Sequence, residues 1–101
     1  MIIAIVRFPL PAGTTAEQAK ASFEASVPQF QGVPGLLRKH YLFGEGPEAG
    51  GVYLWTDCAA AEKVYTPEFR KHLADMFGQE PSIEFFESSV TIENAPVPAD
   101  A

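Results

Sequence analysis

Cysteine, histidine, asparagine and basic charge are all scarce in this chain, and each shortage excludes something. The one cysteine, Cys58, rules out an internal disulfide and a thiolate metal cluster. It fits a chain kept in a reducing cytoplasm. Cys58 follows Asp57 at an expected helix start, where it reads as a small packing residue rather than a nucleophile. Two histidines on separate elements, with no HxH or paired-carboxylate spacing, give no metal site. Seven Lys and Arg stand against thirteen Asp and Glu, a net charge of −6, so the field repels a phosphate backbone. The basic residues Arg7, Lys20, Arg38, Lys39, Lys63, Arg70 and Lys71 come in pairs at most, so no nucleic-acid partner is expected. No long hydrophobic run occurs either: Met1 to Val6 is apolar but is broken by Arg7, short of a signal core or a membrane span. It reads as a buried strand. GxSxG, HExxH, CxxC and phosphate-loop motifs are likewise missing.

What is present is an ordered domain. The 101 residues are 47% hydrophobic and 20% charged, the composition of a globular protein with one modest core. Residues 2–8 are β-rich, and Pro9 to Gly13 breaks them off. Thr14 and Glu17 have capping-box spacing, followed by Ala16, Ala19, Phe23, Val27 and Phe30 at helical intervals, with Pro28 limiting the clean length. Leu36 to Phe43 reads as a second strand, Gly44 to Gly51 as a long hairpin loop, and Val52 to Thr56 as a third strand. Asp57 is a fitting N-cap, and Thr66-Pro67-Glu68 restarts the helix, which is therefore broken or kinked. Phe69, Leu73, Met76 and Phe77 form its stripe until Gly78. A last strand spans about Ser82 to Glu93, changing its apolar parity between Phe85 and Phe86. The order βαββαβ predicts a ferredoxin-like α+β fold over residues 1–94, with an antiparallel four-stranded sheet and a flexible tail over 95–101.

The strands are apolar on both sides. Ile3 and Ile5 are apolar as well as Ile2, Ala4, Val6 and Phe8, and Tyr53 and Trp55 alternate with Val52 and Leu54. A sheet with one wet face alternates apolar with polar. Two helices cover one face only, so the other is expected to be covered by a second copy in a homodimer.

Val33-Pro34-Gly35-Leu36-Leu37-Arg38-Lys39 and, above all, Glu48 to Asp57 (EAGGVYLWTD) resemble the YdhR-like family of candidate monooxygenases in the dimeric α+β barrel superfamily. The resemblance spans most of the chain after Gln31. It implies a homodimeric barrel, a pocket between sheet and helices in each subunit, and oxygenase activity with no metal or flavin cofactor. The superfamily also holds quinone-forming monooxygenases, haem-degrading enzymes and noncatalytic dimerisation modules, so fold alone does not fix function. Its haem-degrading members carry an asparagine on strand one and a histidine on the second helix. Here the strand-one polar residue is Arg7 and the first asparagine is Asn94, which argues against haem degradation despite Trp55 and His72.

Oxygenation of a phenol or enol without a cofactor needs a base, aromatic walls and a dry cavity. A strict two-residue period puts Leu36, Arg38, His40 and Leu42 on one face of strand two, and Leu37, Lys39, Tyr41 and Phe43 on the other. His40 is a candidate base with Arg38 beside it to hold an anion; both also fit an interface or edge role. Lys39 and Tyr41 form the mirror pair, and the sequence does not say which face is inside. His72 is the second candidate base, or a core histidine. Tyr53, Trp55 and Phe69 are candidate substrate-binding rings or simple core. The chain therefore reads as a cofactor-independent monooxygenase for a small aromatic or quinone-like molecule, or as a noncatalytic dimeric module binding a small hydrophobic ligand.

Overall fold

The computed structural model describes residues 1–96. Of the expected tail, residues 97–101 lie outside the described part. The elements are β1 (Ile2–Pro9), α1 (Ala16–Phe30), β2 (Leu36–Gly44), β3 (Glu48–Trp55), α2 (Cys58–Glu62), α3 (Pro67–Phe77) and β4 (Ser82–Glu87). The four strands form one antiparallel sheet in the order β2-β3-β1-β4. This is the ferredoxin-like α+β fold expected from the element order, its second helix split into α2 and α3.

Helix starts follow side-chain chemistry. Thr15, one residue later than expected, caps α1: its hydroxyl accepts from the Gln18 N–H and the Gln18 side chain accepts from the Thr15 N–H. Thr14 is taken up elsewhere, because its N–H and its hydroxyl both donate to the Pro11 carbonyl. Pro28 falls in the last turn of α1, and the helix runs on to Phe30. Asp57 accepts from the Ala60 N–H at the start of α2, and Thr66 accepts from the Phe69 N–H at the start of α3, with Pro67 at its first position. Gly78, at φ +88°, ends α3 in the left-handed conformation.

Two strand boundaries differ from the sequence reading. β3 begins at Glu48 rather than Val52, so the hairpin loop is only residues 45–47 and Ala49, Gly50 and Gly51 lie in the ladder. The glycine run is there because the backbones close in: a Cβ on Gly50 would sit 1.8 Å from the Val6 carbonyl oxygen. β4 ends at Glu87 rather than Glu93. Glu87 pairs with Ile2, the first residue of β1, and the Ser88 N–H donates to the Met1 carbonyl; the ladder stops there. Val90 and Ile92 are consequently 83% and 81% exposed.

Directly paired residues share a face. Ile2, Ala4, Val6 and Phe8 lie with Tyr53, Trp55, Ile83 and Phe85 on the side packed by the helices, and the core is there: Ala4, Val6, Tyr53, Trp55, Ala61 and Tyr65 are buried. Ile3, Ile5, Val52, Leu54, Leu42 and Phe86 lie on the other side, which no element among the described residues covers. Leu42 and Phe86 are exposed and the other four are only part-buried.

Candidate functional site

The site begins with one irregularity in β2. Leu36 pairs with Trp55 but Arg38 pairs with Leu54, so Leu37 is extruded as a bulge and the strand's parity reverses beyond it. The strict period therefore fails at that point. Leu36 does not share a face with Arg38 and His40; it shares one with Lys39 and Tyr41, which lie opposite Tyr53 and Gly51 on the helix side.

Lys39 is the outcome of that reversal. Its Nζ lies 3.4 Å from the centroid of the Phe30 ring, 4.0 Å from that of Tyr41 and 4.6 Å from that of Tyr53. Cation–π attraction holds an ammonium among such rings, but they displace its water. Burial wins: the amine is pulled down to about 7 from its ordinary value near 10.5, with desolvation as the cause. No carboxylate forms an ion pair with it among the described residues. Gly51 makes the arrangement possible, since a Cβ there would lie 3.0 Å from Tyr53 Cε1 and 3.1 Å from Lys39 Cε. The cage is braced by α1: Phe23 stacks on Tyr41 at 5.0 Å, and the Ser26 and Tyr41 hydroxyls are hydrogen-bonded at 2.7 Å.

Behind the cage lies a packed set of rings. Tyr53 and Trp55 are parallel at 6.1 Å, Tyr65 meets both edge-on at 5.3 and 5.7 Å, and Phe69 touches Tyr65 at 5.6 Å. The Trp55 indole N–H donates to the Tyr65 hydroxyl at 3.1 Å, so the buried donor is satisfied. Burial raises the Tyr53 and Tyr65 hydroxyls far above the ordinary tyrosine range. Neither serves as a proton acceptor near neutrality.

Of the residues singled out by sequence, Tyr53, Trp55 and Phe69 come together through Tyr65, a ring that sequence reading passed over although it lies in the gap between the two helix starts. Arg38 and His40 do not join them: they lie on the opposite face, exposed, paired with Leu54 and Val52. His72 does not join them either. The stripe of α3 that faces the core is Phe69, Leu73 and Phe77, which leaves His72 and Met76 exposed. Cys58 is also exposed rather than packed. On the far face, Arg7 is ion-paired with Glu48. Two grooves open on that same face, one lined by Ile3, Ile5, Phe86 and residues 87–90, the other by Ile5, Arg7, Leu42 and the β2–β3 hairpin.

No family model matches the chain, and no curated protein matches it. Solved structures do. A mutant of MhuD with two manganese protoporphyrin IX molecules bound per active site is 19% identical, with a TM-score of 0.69 over 93% of this chain and 100% of that one. A mutant of SnoaB, a cofactor-independent oxygenase from Streptomyces nogalater, is 18% identical, with a TM-score of 0.62 over 90% of this chain and 95% of that one. A candidate antibiotic biosynthesis monooxygenase from Deinococcus radiodurans is 13% identical, with a TM-score of 0.65 over 95% and 100%. These likenesses show a shared fold, the ferredoxin-like α+β arrangement described above. No helix among the described residues is long and apolar enough to cross a membrane.

Proposed function

We propose that the chain is a YdhR-like, cytoplasmic, cofactor-independent monooxygenase that works as a homodimer on a small aromatic or quinone-like molecule. The observation that carries this reading is the ring layer on the helix side of the sheet, where Tyr53, Trp55, Tyr65 and Phe69 supply flat apolar surface beside one half-buried amine. Such a layer excludes water, and the part-buried rings at its margin, Phe69, Phe30 and Tyr41, are those on which a substrate ring would stack, two of the three requirements for reaction of an aromatic anion with oxygen. The fold supports it, since a cofactor-independent oxygenase shares that fold. The apolar far face supports the homodimer, because Ile3, Ile5, Val52, Leu54 and Phe86 form a continuous patch that a twin would remove from water.

Haem chemistry has less support. A haem iron needs an axial ligand, and neither histidine lies on the ring side: His40 is on the far face and His72 is exposed on α3. The second reading, a noncatalytic dimeric module for a small hydrophobic ligand, is favoured by the two grooves, which open away from the ring layer.

Oxygen uptake with a panel of hydroquinones and polyphenols, under air and under nitrogen, separates the two readings. The oxygenase reading expects uptake above the protein-free rate, falling when Tyr65 or Phe69 is replaced by leucine. The His40→Ala and His72→Ala variants test the two histidines as bases. Ligand binding without any uptake supports the module and overturns the enzyme.

A further inference from the structure

We infer that Lys39, lodged among the Phe30, Tyr41 and Tyr53 rings, accepts the proton of an acidic phenol or enol bound against this layer and holds the oxyanion so formed. The substrate class rests on the oxygenase reading; the role of the amine does not. Four observations converge on it. The bulge at Leu37 turns Lys39 onto the ring side, in the place that a strict period running from Leu36 would have given to Arg38 and His40. Gly51 leaves the space through which the lysine stem runs. The three rings meet Nζ at 3.4 to 4.6 Å and present only π-faces, so the nitrogen is left with no carboxylate partner among the described residues. Finally, both histidines lie off this side, so Lys39 is the ionisable cation that the fold delivers to the rings.

The groups facing it are few. Tyr41 stands beside it on β2 and Tyr53 across from it on β3, while α1 presents the Phe30 ring, with the Ser26 hydroxyl held on Tyr41. Burial lifts the Tyr53 hydroxyl well above the ordinary tyrosine range, so the amine's protonation is governed by desolvation and by whatever acid it meets. A neutral amine and a neutral phenol exchange one proton: the O–H bond breaks, an N–H bond forms, and the products are an ammonium and a phenolate in contact. No net charge enters the layer. The ion pair gains Coulomb energy where water is scarce, and the rings stabilise the ammonium further. An electron-rich phenolate is the species that oxygen attacks, so the step readies the substrate without performing the oxidation.

4-Cyanophenol is the probe, used at a pH between that of half-protonation of Lys39, about 7, and that of the free phenol. The bound ligand is expected to show the absorption band of the phenolate although the free ligand is mostly neutral. In Lys39→Met the band is lost and affinity falls at least tenfold. Lys39→Arg keeps the band, since a guanidinium holds an oxyanion, but releases about one more proton to buffer than the wild type by calorimetry in two buffers. Carbon-13 dimethylation of the wild type adds a readout that needs no variant to fold: the Lys39 signal titrates near 7 and moves on addition of 4-cyanophenol. No binding by the wild type, an unchanged band in Lys39→Met, or a Lys39 signal that does not titrate near 7 each overturns the assignment. Equal oxygen uptake by wild type and Lys39→Met sinks the role of Lys39 but keeps the oxygenase; phenolate binding without uptake does the reverse.

Discussion

Both faces of this sheet are apolar, and they use that surface differently. On the helix side the strands contribute rings whose edges and faces interlock, so that Trp55 and Ala4 are 0% exposed and the one polar atom of the indole is satisfied by Tyr65. On the far side they contribute branched aliphatics, Ile3, Ile5, Val52 and Leu54, and the exposed Phe86 ring, with an ion pair at one end and no element above them among the described residues. Packing against a neighbour within the chain fixes rings in one geometry; a surface waiting for a second copy only has to be flat and apolar. The helix side is thus fixed by packing within the chain, and the far side is left open for the association proposed above.

Truncating a ring on the helix side breaks this comparison most severely. Trp55→Ala removes the largest buried side chain and leaves the Tyr65 hydroxyl without its donor, so it should cost about 3–5 kcal/mol by urea unfolding. A cost under about 1 kcal/mol would mean that the ring layer is not the core.

Substitution on the far face should act through association instead. Leu54→Lys, on the strand position next to Trp55, is expected to convert a dimeric mass to a monomeric one by light scattering, with at least a tenfold weaker dimer, while the monomer keeps its near-ultraviolet signal. Wild-type protein that is monomeric at low micromolar concentration would remove the homodimer outright.

Tyr65→Phe probes the joint between ring layer and hydrogen bonding. The ring stays and the hydroxyl goes, stranding the buried indole N–H, so the expected loss is about 1–3 kcal/mol with little change in the far-ultraviolet spectrum.

The contrast between the faces also explains what the sequence made legible. Element order, the break between α2 and α3 and the two-sided apolar strands were readable because helix caps act locally, and each cap fell within a residue of its expected place. The strand ends were not readable, since β3 starts where glycines meet the β1 backbone and β4 stops opposite Ile2, the first residue of β1, and both are facts about a neighbour. The site suffered most. One extruded leucine reverses the parity of every later residue in β2, so the pair Lys39–Tyr41 stands where Arg38–His40 stood in a strict alternation. A bulge leaves no mark in hydrophobic period when, as here, both faces of the strand hold apolar and basic residues alike.

The smallest effect expected is the dependence of stability on pH that Lys39 brings to the ring side. Its half-protonation point is near 7 folded, against about 10.5 unfolded, so between those values the unfolded chain binds more protons than the folded one. Stability attributable to this group therefore rises as pH goes from 7 toward 10, and below 7 the full penalty of a desolvated ammonium is present. The amine is only half-buried, so the gain is on the order of 1–2 kcal/mol once residual water is allowed for. Above pH 10 the tyrosines act in the opposite sense. Burial lifts Tyr53 and Tyr65 above their unfolded values, so the unfolded chain releases their protons first and stability falls again. Unfolding midpoints at pH 7, 8.5 and 10 for wild type and Lys39→Met isolate the lysine: the variant should be the more stable at pH 7, and the gap should close by pH 10 because methionine gives up the charge and keeps the apolar stem. A gap that stays constant across that range would mean that the ammonium is fully hydrated, and that the three rings around it are ordinary core.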